Sequence, residues 1–123
     1  MADAVVWMEP CHVRYLACPR RFTALEVSLL TALLVKAAIN VDPEDLAHAE
    51  VTEDHDHCPS VSFRWTALAQ APVGAIAELD GVEPDGMPFR LVLAKAAAGH
   101  FYLEGFRGDT GAFIAPPDPA ALR

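Results

Sequence analysis

Hydrophobic and polar residues recur with two different periods along this chain, and the first period predicts a long helix. Between residues 23 and 40 most positions are apolar, and only a narrow polar strip runs from Glu26 round to Lys36 and Asn40. Thr23 and Glu26 have the spacing of a capping box, in which a hydroxyl and a carboxylate satisfy backbone N–H groups of the first turn. We therefore expect a helix that begins at Thr23, ends near Asn40 and is covered over most of its surface. The charges within it argue against a membrane-spanning segment.

From Ser60 onward the period changes to two, which is typical of strands. Val61, Phe63 and Trp65 alternate with polar residues, as in an antiparallel strand with one buried face. Turn-rich segments containing Gly, Pro and Asp separate the positions that follow. The further strands predicted from this pattern are Val73–Leu79, Phe89–Lys95, His100–Phe106 and Ala112–Ala115. Their short connections predict a meander.

The beginning of the chain has an extended pattern. Val5–Met8 and His12–Ala17 are separated by a glutamate and a proline, so they form either two strands or one bent strand. Pro19 is expected to stop the extension before the helix begins.

A second, shorter helix is predicted after the first. Asp42 followed by Pro43 is an N-cap and first-turn pair, and the helix should end near Ala49. The segment Val51–Pro59 is too polar to predict an element of its own, so we expect a loop there.

This order of elements predicts an α+β fold in a single domain spanning residues 1–123. One long helix and a short second helix should pack on one face of an antiparallel meander sheet of about five to seven strands. Residues 1–3 and 116–123 are expected to be loose termini. The architecture loosely resembles the cystatin-like roll, in which a sheet curls around a long helix. That resemblance concerns architecture and carries no function with it.

The distribution of charge is more informative than the net charge of −8. No Lys or Arg occurs between Lys36 and Arg64, where seven carboxylates fall. Such a field repels phosphate backbones and attracts cations or basic protein surfaces, so nucleic-acid binding is disfavoured. The predicted acidic partner surface consists of Asp42, Glu44, Asp45, Glu50, Glu53, Asp54 and Asp56.

Cellular location follows from the ends and the cysteines. The first residues lack the basic and apolar regions of a signal peptide, so a cytoplasmic protein is expected. Cys11, Cys18 and Cys58 are few and odd in number, which favours reduced thiols, with one intramolecular bridge as the alternative. The hydrophobic fraction of 53% and the extensively apolar helix favour a homo-oligomer, most simply a dimer.

One segment has the composition of a metal site. His55, His57 and Cys58 lie together among carboxylates, and His55 and His57 project to the same side of an extended chain. Imidazole and thiolate are ligands that suit Zn²⁺, and carboxylates can serve as further ligands. The spacing is not specific, because the chain has no C-x₂-C pair and no calcium-loop pattern. A solvated acidic loop and a pH-responsive patch are the competing interpretations.

Other motifs have structural interpretations. The tetrad Asp109-Thr110-Gly111-Ala112 resembles the active-site motif of retroviral-type aspartic proteases, but too little chain follows for that fold, so we expect a turn. Adjacent Cys and His residues on extended chain point to opposite faces and predict no catalytic pair. One strand face is shared by His100, Tyr102 and Glu104, and Arg64 and Arg90 lie on other predicted strands. They indicate either an acid/base cleft or the wet side of the sheet.

Three functions remain open. The first is a small binding or regulatory module that acts through protein contact, in an inhibitor-like or immunity-like role toward a basic partner. The second is a metal-binding protein or metal-dependent enzyme centred on His55, His57 and Cys58. The third is a small-ligand pocket between helix and sheet. No catalytic residue is predicted, and the question of an enzymatic activity stays open, with a non-enzymatic role preferred.

Overall fold

In a computed structural model, which describes residues 13–55, 58–109 and 111–123, the chain forms one antiparallel six-stranded sheet with two α-helices. This architecture confirms the α+β class. In chain order the elements are β1 (Val13–Arg20), α1 (Ala24–Lys36), α2 (Pro43–His48), β2 (Glu50–His55), β3 (Val61–Arg64), β4 (Gly74–Val82), β5 (Pro88–Ala97), β6 (His100–Arg107) and a 3₁₀ turn (Pro119–Ala121).

Helix α1 begins as predicted, at the N-cap Thr23. The Glu26 amide donates to the Thr23 hydroxyl at 3.2 Å, and the Thr23 amide donates to the Glu26 carboxylate at 2.8 Å. Four leucines of α1 are buried in the core, so the sheet of the same chain supplies much of the cover that this helix needs. They are Leu29, Leu30, Leu33 and Leu34.

The predicted end of α1 near Asn40 is wrong by about one turn. Ala38 takes a left-handed conformation with a φ of 58°. The Ile39 amide donates to Leu34 O at 2.9 Å and the Ala38 amide to Val35 O at 3.0 Å, which is the bonding pattern of a Schellman motif. Glycine usually occupies the left-handed position, so its occupation by alanine hid the helix end in the sequence.

Helix α2 confirms the prediction of a short second helix. Asp42 is its N-cap, with the side chain accepting from the Glu44 amide at 3.0 Å. The Trp65 indole N–H donates to Asp45 O at 2.9 Å, and Arg21 Nη1 donates to His48 O at 2.8 Å. Carbonyl groups of α2 are therefore bonded to the residue that follows β3 and to the segment that precedes α1.

The strands lie in the order β1-β2-β3-β6-β5-β4, and all neighbours are antiparallel. Strands β4 to β6 form the predicted meander, but β6 and not β4 lies beside β3. Apolar residues of both helices and of one sheet face form a single core. Phe63 lies near its centre and contacts Phe22, Trp65 and Phe101, with ring centroids 4.9 to 6.0 Å apart.

The prediction of a loop over Val51–Pro59 is wrong, because β2 occupies Glu50–His55. A register shift between Val51 and Glu53 places Val51 and Asp54 on the core face, where they are 0% and 7% exposed. The shift breaks the period of two. The ion pairs of Asp54 with β1 make its burial tolerable, and neither feature is visible in one strand's composition.

Strand boundaries differ elsewhere. Strand β1 continues through Pro19, which an edge strand tolerates because one side of its backbone needs no partner. Ala112–Ala115 is not a strand. The Ile114 amide donates to the Glu83 side chain at 2.9 Å instead of to a neighbouring strand. The predicted strand Val5–Met8 and residue His12 lie outside the described residues.

The C-terminal residues are docked on the sheet, contrary to the expectation of a loose tail. Arg123 and Asp80 exchange two backbone hydrogen bonds of 2.9 Å at the edge of β4, and Leu122 packs against the core. Cys18 is a free, exposed thiol and Cys58 is disulfide-bonded. The expectation of reduced thiols therefore holds for Cys18 and is wrong for Cys58, and Cys11 lies outside the described residues.

Candidate functional site

The sheet face opposite α1, called the open face below, is uncovered by any described element. Cross-strand register shows which side chains share it. It carries Val13, Tyr15, Glu50, Glu53, His55, Ser62, Arg64, Glu78, Asp80, Val82, Arg90, Val92, His100, Tyr102, Glu104 and Phe106.

A transverse row at the middle of the open face joins four strands. Tyr15 pairs with Glu53, Glu53 with Ser62, and Ser62 with Tyr102. Directly paired residues on one face have Cβ atoms about 4.5–5.5 Å apart, so the row places two tyrosines on either side of a carboxylate and a hydroxyl. The pairing joins residues from both ends of the sequence.

Carboxylates outnumber guanidinium groups on the open face by five to two. Arg64 pairs with Glu50 at 3.5 Å, and Arg90 pairs with Asp80 at 2.8 Å and Glu78 at 3.7 Å. The hydrogen bond from Arg90 lowers the pKa of Asp80. The face thus keeps a formal excess of three negative charges.

Two of these carboxylates are left over from the ion pairs. Within the described parts of the chain, Glu53 and Glu104 have no Lys or Arg partner within 4.0 Å. Both are half-buried and lie near the middle of the open face. They are therefore the acids best placed to meet a cation from outside.

Large apolar side chains interrupt this charged face. Tyr15 is 78% exposed, Val82 67% and Phe106 52%. Val82 and Phe106 line a shallow groove of about 760 Å³, together with Val92 and Pro88. An exposed apolar surface rimmed by charged residues is typical of an interaction site.

The predicted constellation of His100, Tyr102 and Glu104 does share the open face, and Arg64 lies directly opposite His100. A smaller cleft of about 180 Å³ lies beside it, lined by Tyr102 and Glu104 together with His55 and Ser62. His55 joins this cleft from β2, which the sequence did not predict. The cleft offers an imidazole, a carboxylate and two hydroxyls, groups that can bind a polar side chain.

The structure describes two of the three predicted metal-site residues. His55 lies on the open face, His57 lies outside the described residues, and Cys58 is disulfide-bonded. A disulfide sulfur is not a thiolate, so Cys58 would have to be reduced before it could bind zinc as predicted. The described residues contain no group of three or more His, Cys, Asp or Glu that could hold a metal ion. Metal binding through His55 and His57 stays a prediction.

The predicted acidic surface is divided by the fold. Asp42, Glu44 and Asp45 belong to α2 and its cap, whereas Glu50 and Glu53 lie on the open face. Asp54 is buried and pairs with Arg14 at 2.8 Å and Arg20 at 3.2 Å. It therefore contributes nothing to an exposed acidic surface. Asp56 lies outside the described residues.

Asp109, the protease-like aspartate, holds a buried arginine. Arg107 Nε donates to Asp109 at 2.8 Å, Nη1 to Glu83 at 2.9 Å, and Nη2 to Asp85. The hydrogen bonds from Arg107 lower the pKa of both Asp85 and Asp109. Asp109 Oδ1 also accepts from the Gly111 amide at 3.0 Å, which is the predicted turn. The described contacts of its carboxylate are therefore structural, as the turn interpretation predicted.

Sequence reasoning missed the apolar members of the open face. Tyr15, Val82 and Phe106 each occupy alternating positions in strands, but a strand pattern does not reveal which face remains uncovered. Their exposure on the same sheet face as half-buried Tyr102 is the structural signal. No described helix is long and apolar enough to cross a membrane.

Comparison of the chain with protein-family models, with curated proteins and with solved structures found no match.

Proposed function

We propose that this protein is a protein-binding module that docks a partner on its open face. The observation that carries the proposal is the exposure of Tyr15, Val82 and Phe106 on an otherwise charged sheet face that no described element covers. Interfaces are enriched in aromatic residues at their centre and have a polar rim. The open face combines aromatic and charged residues in this way only in part: Tyr102 lies on the inner strand β6, whereas Tyr15 and Val82 lie on the edge strands β1 and β4.

The chemistry of the partner follows from the charge. The excess of three carboxylates, with Glu53 and Glu104 free of ion pairs among the described residues, favours a basic protein surface. Tyr15 and Tyr102 lie in the same row as Glu53, and aromatic faces attract Lys and Arg. Phosphate backbones would be repelled by the same charge. An apolar, basic protein surface therefore fits better than a nucleic acid.

Binding of a matched pair of peptides tests the proposal. A fluorescein-labelled amphipathic peptide of repeated Lys-Leu-Ala units reproduces the partner's chemistry, and a peptide with Glu in place of Lys is its control. Fluorescence anisotropy should report binding of the basic peptide alone, weakening as salt is added. Phe106→Ser and Tyr15→Ser should each weaken binding about tenfold, since exposed aromatic anchors commonly contribute more than about 1 kcal/mol.

Control variants distinguish binding at the open face from non-specific apolar or electrostatic binding elsewhere. Val35 is 73% exposed on α1, so Val35→Ser removes an equally exposed apolar residue elsewhere. Glu53→Gln combined with Glu104→Gln should weaken binding, whereas Glu44→Gln on α2 should not. Equal binding of both peptides, or equal effects of the open-face variants and their controls, would contradict the proposal.

A second copy of the chain is the rival occupant of the open face. Light scattering on the parent and on Phe106→Ser decides between them. If the parent is a dimer that Phe106→Ser converts to a monomer, the face is a homodimer interface and the proposal of a basic partner fails. A parent whose oligomeric state is unchanged by Phe106→Ser leaves the face free for that partner.

A further inference from the structure

A separate cavity of about 370 Å³ lies between the first turns of α1 and the segment 113–117. Its volume falls within the roughly 300–1,000 Å³ of pockets that bind small organic molecules. The walls are largely apolar. Leu25 and Leu29 come from α1, and Phe113, Pro116 and Pro117 come from the C-terminal segment.

The charge at the cavity is already neutralised within the chain, so a ligand need not balance it. Glu26 is the one charged side chain among the described lining residues. Its carboxylate accepts two hydrogen bonds from Arg20, at 2.8 and 3.0 Å, and one from the Thr23 amide. The Thr23 hydroxyl accepts from the Glu26 amide, so its own O–H remains able to donate.

The C-terminal wall is held in place by contacts outside the cavity. Phe113 packs edge-on against Phe89 with ring centroids 5.2 Å apart. The Ile114 amide donates to Glu83 at 2.9 Å, and Glu83 pairs with Arg107. Two consecutive prolines then fix the backbone. A wall that is already ordered lowers the conformational cost of binding.

The rim next to this wall presents an apolar side chain to water. Ile114 lines the cavity and is 57% exposed, while its neighbour Phe113 is 8% exposed. Burial of such a side chain against a ligand is favourable, because it removes apolar surface from water. The cavity is thus apolar both inside and at its mouth.

From this geometry we propose that the cavity binds a neutral, mostly apolar small molecule whose single hydrogen-bonding group meets the Thr23 hydroxyl, which can donate its O–H or accept on its second lone pair. The site lies on the opposite side of the sheet from the open face, and it does not depend on protein docking. Anionic molecules are disfavoured there. The lining carboxylate of Glu26 would repel them, and the nearby guanidinium group of Arg20 is already bonded to Glu26 and Asp54.

N-phenyl-1-naphthylamine is a suitable probe, since it is neutral and apolar and fluoresces strongly in apolar surroundings. Its sulfonated relative 1-anilinonaphthalene-8-sulfonate is the matched anionic control. Titration of the parent should show one saturable site for the neutral probe, with the anionic control binding at least about tenfold more weakly. In methyl NMR spectra the signals of Leu25, Leu29 and Ile114 should shift on titration, and that of Val82 should not.

Cavity-filling variants give the sharper test. Leu25→Trp fills the cavity from α1 and Ala115→Phe fills it from the opposite wall, so both should abolish the saturable signal. Val35→Trp places the same ring on an exposed part of α1 and should leave probe binding unchanged. Phe106→Ser should also leave it unchanged, which separates this site from the open face.

Several results would overturn the inference. The first is the absence of a saturable signal, which would also result if the chain itself already fills the cavity. The second is equal binding of the two probes. The third is persistence of binding in both filled variants. Circular dichroism establishes that each variant is folded. If a filled variant does not fold, the methyl shifts of the parent decide alone, and shifts confined to Val82 would contradict the site.

Discussion

The carboxylate of Asp54 accepts a hydrogen bond from Arg20 at 3.2 Å, although the two residues lie 34 positions apart in the chain. Arg20 also donates two hydrogen bonds to Glu26, at 2.8 and 3.0 Å. One guanidinium group therefore joins β1, β2 and the first turn of α1. Arg14 completes the network by donating to the other oxygen of Asp54 at 2.8 Å.

This network predicts a loss of stability in acid. Burial opposes ionisation of Asp54, but hydrogen bonds from Arg14 and Arg20 outweigh it and lower the pKa of Asp54. A carboxyl with a lowered folded-state pKa stabilises the protein above its unfolded value of about 3.9, and the contribution is lost as pH falls through the folded value. The free energy of unfolding should therefore fall below about pH 4.

Asp54→Asn isolates the part that this residue contributes. At neutral pH the variant should lose roughly 1–3 kcal/mol, because charge-assisted hydrogen bonds are weakened. Its urea midpoint should also change less between pH 5 and pH 3 than that of the parent, because residue 54 no longer titrates. Some pH dependence should remain, since Asp85 and Asp109 retain their bonds to Arg107. Parallel pH profiles for the two proteins would contradict the assignment.

The capping box predicts a defined cost for Thr23→Ala. Removal of the hydroxyl leaves the Glu26 amide without its acceptor, so the free energy of unfolding should fall by about 0.5–2 kcal/mol. Thr23→Ser keeps the hydroxyl and should stay within a few tenths of the parent. Denaturant unfolding measures both. Coincident midpoints for the parent and Thr23→Ala would contradict a stabilising cap.

Ala38→Gly should stabilise the protein. Ala38 has a φ of 58° at the end of α1, and a left-handed conformation costs a residue with a Cβ roughly 1–2 kcal/mol. Glycine avoids that cost but loses more chain entropy, so we expect a net gain of about 0.5–1 kcal/mol. Ala37→Gly is the matched control, because Ala37 has a right-handed conformation and should lose stability. A fall in stability in both variants would refute the left-handed assignment.

A close approach between Gly81 and Phe89 predicts that Gly81→Ala is harmful. The Phe89 ring lies over Gly81, where an added Cβ would overlap its ring atoms. Overpacking of this kind costs about 1–3 kcal/mol. Phe89→Leu should remove most of the additional penalty in the double variant, which a double-mutant cycle measures. Additive losses would show that the ring does not cause the effect.

The beginnings of both helices could be predicted because their signals are local. Thr23 with Glu26, and Asp42 with Pro43, satisfy backbone groups within one turn. The end of α1 could not be predicted, because alanine at position 38 gives no sign of a left-handed conformation. The local sequence therefore predicted where both helices begin but not where α1 ends.

Strand β2 was missed for a non-local reason. Asp54 is buried because Arg14 and Arg20 of another strand neutralise it, and a register shift moves it to the core face. The same limit applied to the candidate site. Tyr15 and Tyr102 lie in one row, with Glu53 and Ser62 between them, only because β6 inserts beside β3, which no single strand pattern specifies.

The most direct test of the central claim is an amide NMR map of the parent titrated with the basic Lys-Leu-Ala peptide. If the open face is the docking surface, the amides of Glu53, Ser62 and Tyr102 should shift progressively, while those of Ser28 and Thr31 on α1 stay in place. Shifts concentrated on α1 and α2, or none at peptide concentrations that saturate the anisotropy signal, would contradict the claim.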